Sequence, residues 1–541
     1  MTDKQPIYIL PENVQRMIGR DAQRNNILAA RLVADTVKTT LGPKGMDKML
    51  VSAIGDIVIT NDGVTILEEM EIEHPAAKMM VEVAKTQEEA VGDGTTTAVV
   101  LAGKLLENAE KLLDQKIHPT TITKGYRIAA EKSNEILNRI STKINAKDFN
   151  LLKNIATTAM TGKGAETAKE KLSEIIVNAV ATVAEETPSG IIVDSSNIKI
   201  EKKKGQGIEN SELIKGIVLD KERVSSDMPS SVQNAKIALI DTALELKSPE
   251  TDTKIQISTP EQLQAFLDQE ERLLKAMVEK IKKSGATVIL CQKGIDDVAQ
   301  YYLAKSNILA ARRISKNDME KLEKATGGKI VSNLNELSEK ELGFAGLVEE
   351  KKEGDESLLY IRDCKNPKAV TILIRGGTEH VIDEIERAIK DGIGDLSASL
   401  QDVKIVAGGG AIEIELAKQL RQFNQTVSGR EKLAVDEFAN ALECIPVILA
   451  ENSGLDPIDI LTELKSRHSS DTNAGINVYN GKIEDMMKSG VIEPLRIKTQ
   501  AIKSASEVAT MILRIDDVIA SSSNKNSGMG RSNLPNSPEE F

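Results

Sequence analysis

Four glycine-rich segments offer backbone that could meet a phosphate. GDGTTT (92–97) stands just before an apolar helical run. Its glycines allow close backbone approach, and its threonines can cap a helix whose N-terminus attracts anions. Asp93, between those glycines, is placed to hold Mg²⁺ beside such a phosphate, because hard cations prefer carboxylate oxygen. TLGPKG (40–45) closes a helical pattern with a turn of exposed N–H groups, and Gly408-Gly409-Gly410 opens another helical stretch. In TGKGAE (161–166), Lys163 can reach a terminal phosphate as a point charge. Each segment alone reads more readily as an ordinary turn or cap. Together, with no other cofactor motif present, they point to a nucleotide-phosphate site.

Two aspartates invite a catalytic reading. Val381, Ile382, Ile385 and Ile389 form a helical stripe that Asp391, followed by Gly392 and Gly394, is expected to end. The macrodipole disfavours a carboxylate at a helix C-terminus by a few tenths to about 1 kcal/mol. Such a residue is either functional or simply exposed. Asp62, within ITNDGVTI (59–66), reads by local rules as a β-hairpin turn. Other chemistry has little to work with. The Lys of every Gly-Lys pair (Lys104, Lys163, Lys329, Lys482) is followed by Leu, Gly or Ile, so there is no P-loop, and GxGxxG, GxSxG and HExxH are also absent. His74, His118, His380 and His468 are scattered, and each reads as a surface or packed residue. Any catalysis must come from carboxylates and a metal.

These residues need elements to position them. The 541 residues suggest roughly three to four domains. A 40% apolar and 28% charged composition is that of a globular chain, and the net charge of −12 argues against a nucleic-acid face. No apolar run approaches the roughly 18 residues of a membrane span. The start, MTDKQPIYILPEN, lacks a secretory h-region, and Cys291, Cys364 and Cys444 are too dispersed for a disulfide framework, so a reducing cytoplasm is expected. Helical periodicity runs from about 20 to 145, with Ile27, Ala30, Ala34, Val37 and Leu41 in one stripe and Ala76, Met79, Met80, Val83 and Ala84 in another; it returns from about 410 to 470. Between 215 and 375 the text alternates: KIALI (236–240), TVILC (287–291), KIVSNL (329–334) and VTILIRGG (370–377) read as strands joined through helices. The simplest account is a helical domain split in sequence by an inserted α/β domain.

One helix is written out in full, from the cap Thr259-Pro260-Glu261-Gln262 to Ser284-Gly285. At about 36 Å it is long enough that part can project from a domain. Segments near 55–60 and Met511–Ile519 read as strands expected to pair in sheets within or between subunits. The Ser/Asn-rich tail 521–541 is expected to be disordered.

TLGPKGMDKM (40–49), TNDGVTIL (60–67), VGDGTTTAVVLAG (91–103), TGKGAE, the 408–410 triplet and VIEPLRIKTQAI (491–502) occur in one order at familiar separations. Together they resemble a group II chaperonin, the thermosome family of archaea and its eukaryotic cytosolic relatives, over nearly the whole chain to about Ala520. The resemblance implies a multidomain α/β fold. It has a mainly helical equatorial ATP-binding domain (1–145 and 403–520) and an intermediate domain (146–215 and 368–402). An α/β apical domain (216–367) follows, carrying a protrusion near 245–275. It implies a subunit of a double ring of identical or closely related subunits, which encloses non-native polypeptide and closes on hydrolysing ATP with Mg²⁺. Partners are polypeptides, not nucleic acid or membrane. The rival is a passive scaffold or holdase with the same fold.

By the same resemblance, Leu41, Gly42 and Pro43 belong to the phosphate-binding turn, and Asp93 is the Mg²⁺ ligand. Gly94, Thr95, Thr96 and Thr97 cradle the β- and γ-phosphates. Asp62 becomes a catalytic carboxylate, and Asp391 the residue that swings in and orients the attacking water. Lys163 senses the γ-phosphate, Gly409 contacts nucleotide, and Asn477 and Glu493 lie near base and ribose. The tail departs from the Gly-Met repeats common in the family.

Overall fold

The computed structural model describes residues 14–188, 190–246, 259–353 and 356–521. Residues 522–541 of the expected tail, and the part of the protrusion at 247–258, lie outside the described residues; Ser521, expected to begin the tail, instead ends a strand.

A large helical core is assembled from both ends of the chain. Helices Arg20–Val37, Pro75–Val91, Thr95–Asp114 and Pro119–Ile140 pack with Ala411–Asn424, Glu431–Leu442 and Leu495–Leu513. The stripe Ile27, Ala30, Ala34 and Val37 is buried as its spacing requires. Aromatics are few but central: Tyr126 meets Phe438 edge-on at 5.7 Å and donates its hydroxyl to the Leu105 carbonyl at 2.7 Å.

A second core joins helices Phe149–Met160, Lys169–Val183 and Glu379–Asp402 to a three-stranded sheet. In that sheet Val370–Gly376 lies between Ile198–Lys204, parallel to it, and Glu212–Ile214, antiparallel. VTILIRGG is therefore a strand, but of this small sheet and not of the larger one that 236–240 and 287–291 share.

That larger sheet has seven strands. Its path runs Leu309–Ala311, Val288–Cys291, Ser231–Ile240, Gly343–Glu353, Glu356–Arg362 and Ile217–Leu219, with Ile330–Val331 also on Ser231–Ile240. Alternation along Ser231–Ile240 sends Ile237 and Leu239 toward helix Lys316–Thr326, and Ala238 and Ile240 toward helices Pro260–Ser284 and Asp297–Lys305. Helix Pro260–Ser284 starts as written, with Thr259 accepting from the Gln262 N–H at 3.4 Å, and is closed by left-handed Gly285. Leu274, Val278 and Ile281 are buried, whereas Phe266 and Leu267 are 38% and 49% exposed. Its first half stands clear of the sheet.

Several local expectations are corrected. KIVSNL contributes only Ile330–Val331 to a strand. Met511 to Leu513 end a helix, and the strand that follows, Asp517–Ser521, pairs antiparallel with Val14–Ile18. Ile57–Thr60 instead forms a ribbon with Lys48–Val51. Each segment thus pairs within the chain, but not with the other. Among the described residues no helix is long and apolar enough to cross a membrane.

Candidate nucleotide site

A cavity of about 440 Å³ lies where the large helical core meets the second core. Its floor is the loop from Val91 to Thr95. Gly92 (φ +95°) and Gly94 (φ +79°) occupy left-handed conformations that let the chain leave one helix and start the next within three residues. The new helix, Thr95–Asp114, has no side-chain N-cap. Its first N–H groups therefore face the cavity at the positive end of a 20-residue dipole.

Asp62 is not in a hairpin turn. It caps helix Gly63–Glu69, accepting from the Thr65 N–H at 2.9 Å and the Thr65 hydroxyl at 2.7 Å through Oδ2. An Asp before a Gly satisfies turn and N-cap chemistry alike, and the helix wins because Val64, Ile66 and Leu67 have a core to fill. Oδ1 is left toward the cavity, 3.4 Å from the Thr95 hydroxyl. The adjacent Asn61 donates to the Gly162 carbonyl at 2.6 Å and so ties this cap to the loop that carries Lys163. Across the cavity, Asn452 donates to the carbonyls of Lys38 and Leu41 (3.0 and 2.9 Å), which fixes the turn of Leu41, Gly42 and Pro43.

Asp391 does not end its helix either. Helix Glu379–Asp402 runs on for eleven residues, and the two glycines serve packing, not termination. A Cβ at Gly394 would lie 2.6 Å from the Val91 carbonyl oxygen, so only glycine lets this helix sit flush on the floor loop. Asp391 is thereby brought beside Lys163, with which it forms an ion pair; the Lys163 ammonium is also 3.4 Å from Asp93 Oδ1. Both partners are largely buried, 14% and 16% exposed. Burial pushes the Asp391 carboxyl up to about 8, opposed by Lys163 and reinforced by Asp93 and Asp62. Burial works against the Lys163 charge, but Asp391, Asp93 and Asp62 outweigh it and raise its pKa. Two carboxylates, Asp391 and Asp93, stand around the Lys163 ammonium, and this favours the charged pair.

One turn further along, Asp395 is 2% exposed, with Oδ1 unpartnered. Burial raises its carboxyl well above the ordinary range, Asp93 and Asp391 add to this, and Lys163 opposes it. Its surroundings therefore favour the neutral form.

The far end of the cavity is built by the second half of the chain. Gly409 accepts from the Ile476 N–H at 2.9 Å, which joins the glycine triplet to strand Ala474–Asn477. Asn477 lines the cavity but spends its side chain locally, accepting from the Tyr479 N–H and donating to Glu484, both at 3.1 Å. Glu493 pairs with buried Lys498 at 2.6 Å, and Lys498 also binds Glu413 at 2.9 Å. Burial raises the Glu493 carboxyl, while Glu413 and Glu493 overcome the burial that would lower Lys498.

Leu41, Gly42, Pro43, Asp62, Asp93, Gly94, Thr95, Thr96, Thr97, Lys163, Gly409, Asn477 and Glu493 all line this one cavity. Asp391 does not; it stands behind Lys163. Sequence reasoning missed Asn61, Asp395 and the Lys498–Glu413 pair. Asp395 carried a readable signal, a like charge four residues from Asp391 on one helix, which is unfavourable without a reason. No three-carboxylate cage for a cation exists among the described residues. Asp93, partly exposed and paired only with Lys163, fits instead the way Mg²⁺ is taken, through one or two carboxylates plus phosphate oxygens.

A model of the TCP-1/cpn60 chaperonin family matches residues 33–523. A thermosome subunit of Methanopyrus kandleri is 62% identical over 519 residues, spanning 96% of this chain and 95% of that one. Thermosome subunit beta of Archaeoglobus fulgidus is 59% identical over 538 residues, 99% of each chain. Among solved structures, the open-state monomer of a group II chaperonin from Methanococcoides burtonii is 48% identical and superposes with a TM-score of 0.58, covering 79% of this chain and 100% of its own. With a cavity lined from both halves of a split helical core, and with relatives aligned over almost their full length, the chain belongs to the TCP-1/cpn60 chaperonin family.

Proposed function

We propose that this chaperonin subunit hydrolyses ATP with Mg²⁺ and uses the cycle to enclose and fold non-native polypeptide within a double ring of like subunits in the cytoplasm. Supporting this reading is the convergence on one cavity of four glycine-rich segments and Asp62, Asp93 and Lys163, with Asp391 carried in by a helix of a different core. The division of labour follows the cores. Residues 1–145 and 403–520 form the equatorial unit, 146–215 and 368–402 the intermediate one, and 216–367 the apical one.

The N–H groups opening helix Thr95–Asp114 receive the β- and γ-phosphates, helped by the turn at Leu41, Gly42 and Pro43. Mg²⁺ held at Asp93 would offset phosphate charge that the carboxylates around the cavity otherwise repel. Phosphoryl transfer to water needs positioning more than a strong base. Asp391, held behind Lys163 in this arrangement, swings in once Lys163 turns to the γ-phosphate, accepts a hydrogen bond from the attacking water and holds it in line; Asp62 Oδ1 flanks the same region. Lys163 exchanges its carboxylate partners for the γ-phosphate. Because Asp391 belongs to another core, turnover is tied to how the two cores sit together.

The purified chain, mixed with a denatured client, should release phosphate from Mg-ATP and render that client protease-resistant only while nucleotide turns over. A chain that suppresses client aggregation equally well without nucleotide, and releases no phosphate, is the passive holdase.

A further inference from the structure

Of the four histidines, one is not bland. His468, which follows helix Pro457–Arg467, is 1% exposed, and its ring is held at both nitrogens. Nδ1 is 3.2 Å from Glu415 Oε2, and Nε2 is 2.7 Å from the carbonyl oxygen of Ala474. Both neighbours are acceptors, so a ring that satisfies them donates from both nitrogens. Glu415 is 2% exposed and also accepts from Gln419 (2.6 Å) and Lys418 (3.3 Å). Although burial alone would raise it, its hydrogen bonds to His468 and Gln419, with Lys418 nearby, hold its carboxyl below the ordinary range. Lys418 in turn donates to the His468 carbonyl at 2.6 Å.

What this ring joins matters. Glu415 lies in the second turn of helix Ala411–Asn424, directly behind the Gly408-Gly409-Gly410 turn. Ala474 is the first residue of the strand that carries Ile476 and Asn477 into the cavity. At the cavity, turn and strand are joined by one backbone hydrogen bond, from the Ile476 N–H to the Gly409 carbonyl, and by close packing of Gly475 on the Gly408 and Gly409 carbonyls. The strand's other partner is a short ribbon strand, Lys482–Asp485, which belongs to the same excursion of chain. Apolar burial of Ala474 and Ile476 seats the strand, and the ring adds a polar link from it to the helix that follows the glycine turn.

We propose that His468 is a positioning residue for nucleotide: it clamps the Ala474–Asn477 strand to the glycine turn and so pre-forms the end of the cavity that takes the nucleoside. This rests on the nucleotide reading of the cavity. Pre-organisation of this kind acts on affinity, because a loose wall must be ordered at the moment of binding. It acts on the nucleoside end only, because the phosphate end is built by Gly94 to Thr97 and the 40–43 turn, which His468 does not touch.

The test uses the full-length chain and three ligands, Mg-ATP, Mg-ADP and Mg-tripolyphosphate, titrated by calorimetry. His468→Leu removes two hydrogen bonds, so both nucleotides should weaken by roughly tenfold, while tripolyphosphate, which has no nucleoside, should bind as it does to the wild type. Glu415→Gln, with His468 intact, keeps the clamp, since its amide can donate to a ring nitrogen, and should retain near-wild-type nucleotide affinity. If His468→Leu does not fold, His468→Gln, able to keep one of the two bonds, is read with the same ligands and should show a smaller loss confined to nucleotides. Unchanged nucleotide affinity, or an equal loss for tripolyphosphate, overturns the proposal. A wild-type chain that binds tripolyphosphate but not nucleotide overturns the nucleotide reading itself, which separates the two failures.

Discussion

Truncating Asp391 to alanine removes a carboxylate that stands behind the cavity wall, beside the ammonium of Lys163. A charge-assisted hydrogen bond to the attacking water contributes roughly 1.5–3 kcal/mol, and each 1.36 kcal/mol is about tenfold in rate. That bond alone accounts for roughly 10- to 150-fold, and loss of in-line orientation adds to it, so turnover should fall by about two orders of magnitude or more. Affinity should behave differently. Asp391 is not on the cavity surface, and Lys163 keeps Asp93 at 3.4 Å as a partner, so the cation is not stranded. Asp391→Asn, which keeps an acceptor oxygen without the charge, should fall between wild type and alanine. Steady-state phosphate release and equilibrium Mg-ATP binding, measured on the same preparations, separate the two effects. Wild-type turnover in Asp391→Ala would remove the residue from the mechanism. Parallel losses of turnover and affinity would make it a structural support instead.

Asp93→Ala should weaken Mg-ATP binding itself, and an unaltered Mg²⁺ dependence of binding would contradict its role as ligand. Lys163→Ala should change the ATP dependence of ring closure more than it changes affinity; closure rate and cooperativity equal to wild type would reject this. Asp395, raised well above its ordinary value of 3.8 by burial, should keep a proton that the unfolded chain releases. Its contribution to stability is therefore whole below pH 3.8 and declines as pH rises toward the folded value, and Asp395→Asn should flatten that decline in urea unfolding at pH 5 and pH 8. An equal slope in both proteins would show Asp395 to be ionised. Replacing 247–270 with a short Gly/Ser linker should leave rings and ATPase intact but expose a trapped client to protease in the presence of a hydrolysis transition-state analogue. Full shielding by that variant would exclude a lid.

The glycine-rich segments that line the cavity were legible as a set, because glycine and threonine at these offsets leave exposed backbone before a helix. The split of the helical core was legible too, since periodicity near 3.6 returns after a long strand-bearing interval. Asp62 and Asp391 were misplaced locally for a shared reason. Asn-Asp-Gly and Asp-Gly-Ile-Gly carry turn and stop signals when read by themselves. In the fold, the first opens a helix that fills a core and the second lets a helix press against Val91. The ion cluster of Lys498, Glu413 and Glu493 could not be read at all, because it joins residues up to 85 positions apart whose meeting depends on tertiary packing. His468 was hidden in the same way: its partners are set by where a helix and a strand end up, not by neighbours in the text.

The pairing of Val14–Ile18 with Asp517–Ser521 puts Val14 opposite Ser521, within about 6 Å between Cα atoms. A few added residues would join those points, because closing so short a gap demands little chain entropy. New ends could be opened at Gly205, which is exposed and has nothing within 4 Å of where a side chain would begin. Such a rewired gene would start with Glu212–Ile214 of the three-stranded sheet, run through the seven-stranded sheet and Asp391, and then encode the whole helical core as one uninterrupted stretch. If that molecule still assembles and turns over ATP, the interrupted order of the natural chain records how the gene was put together rather than anything the cavity requires.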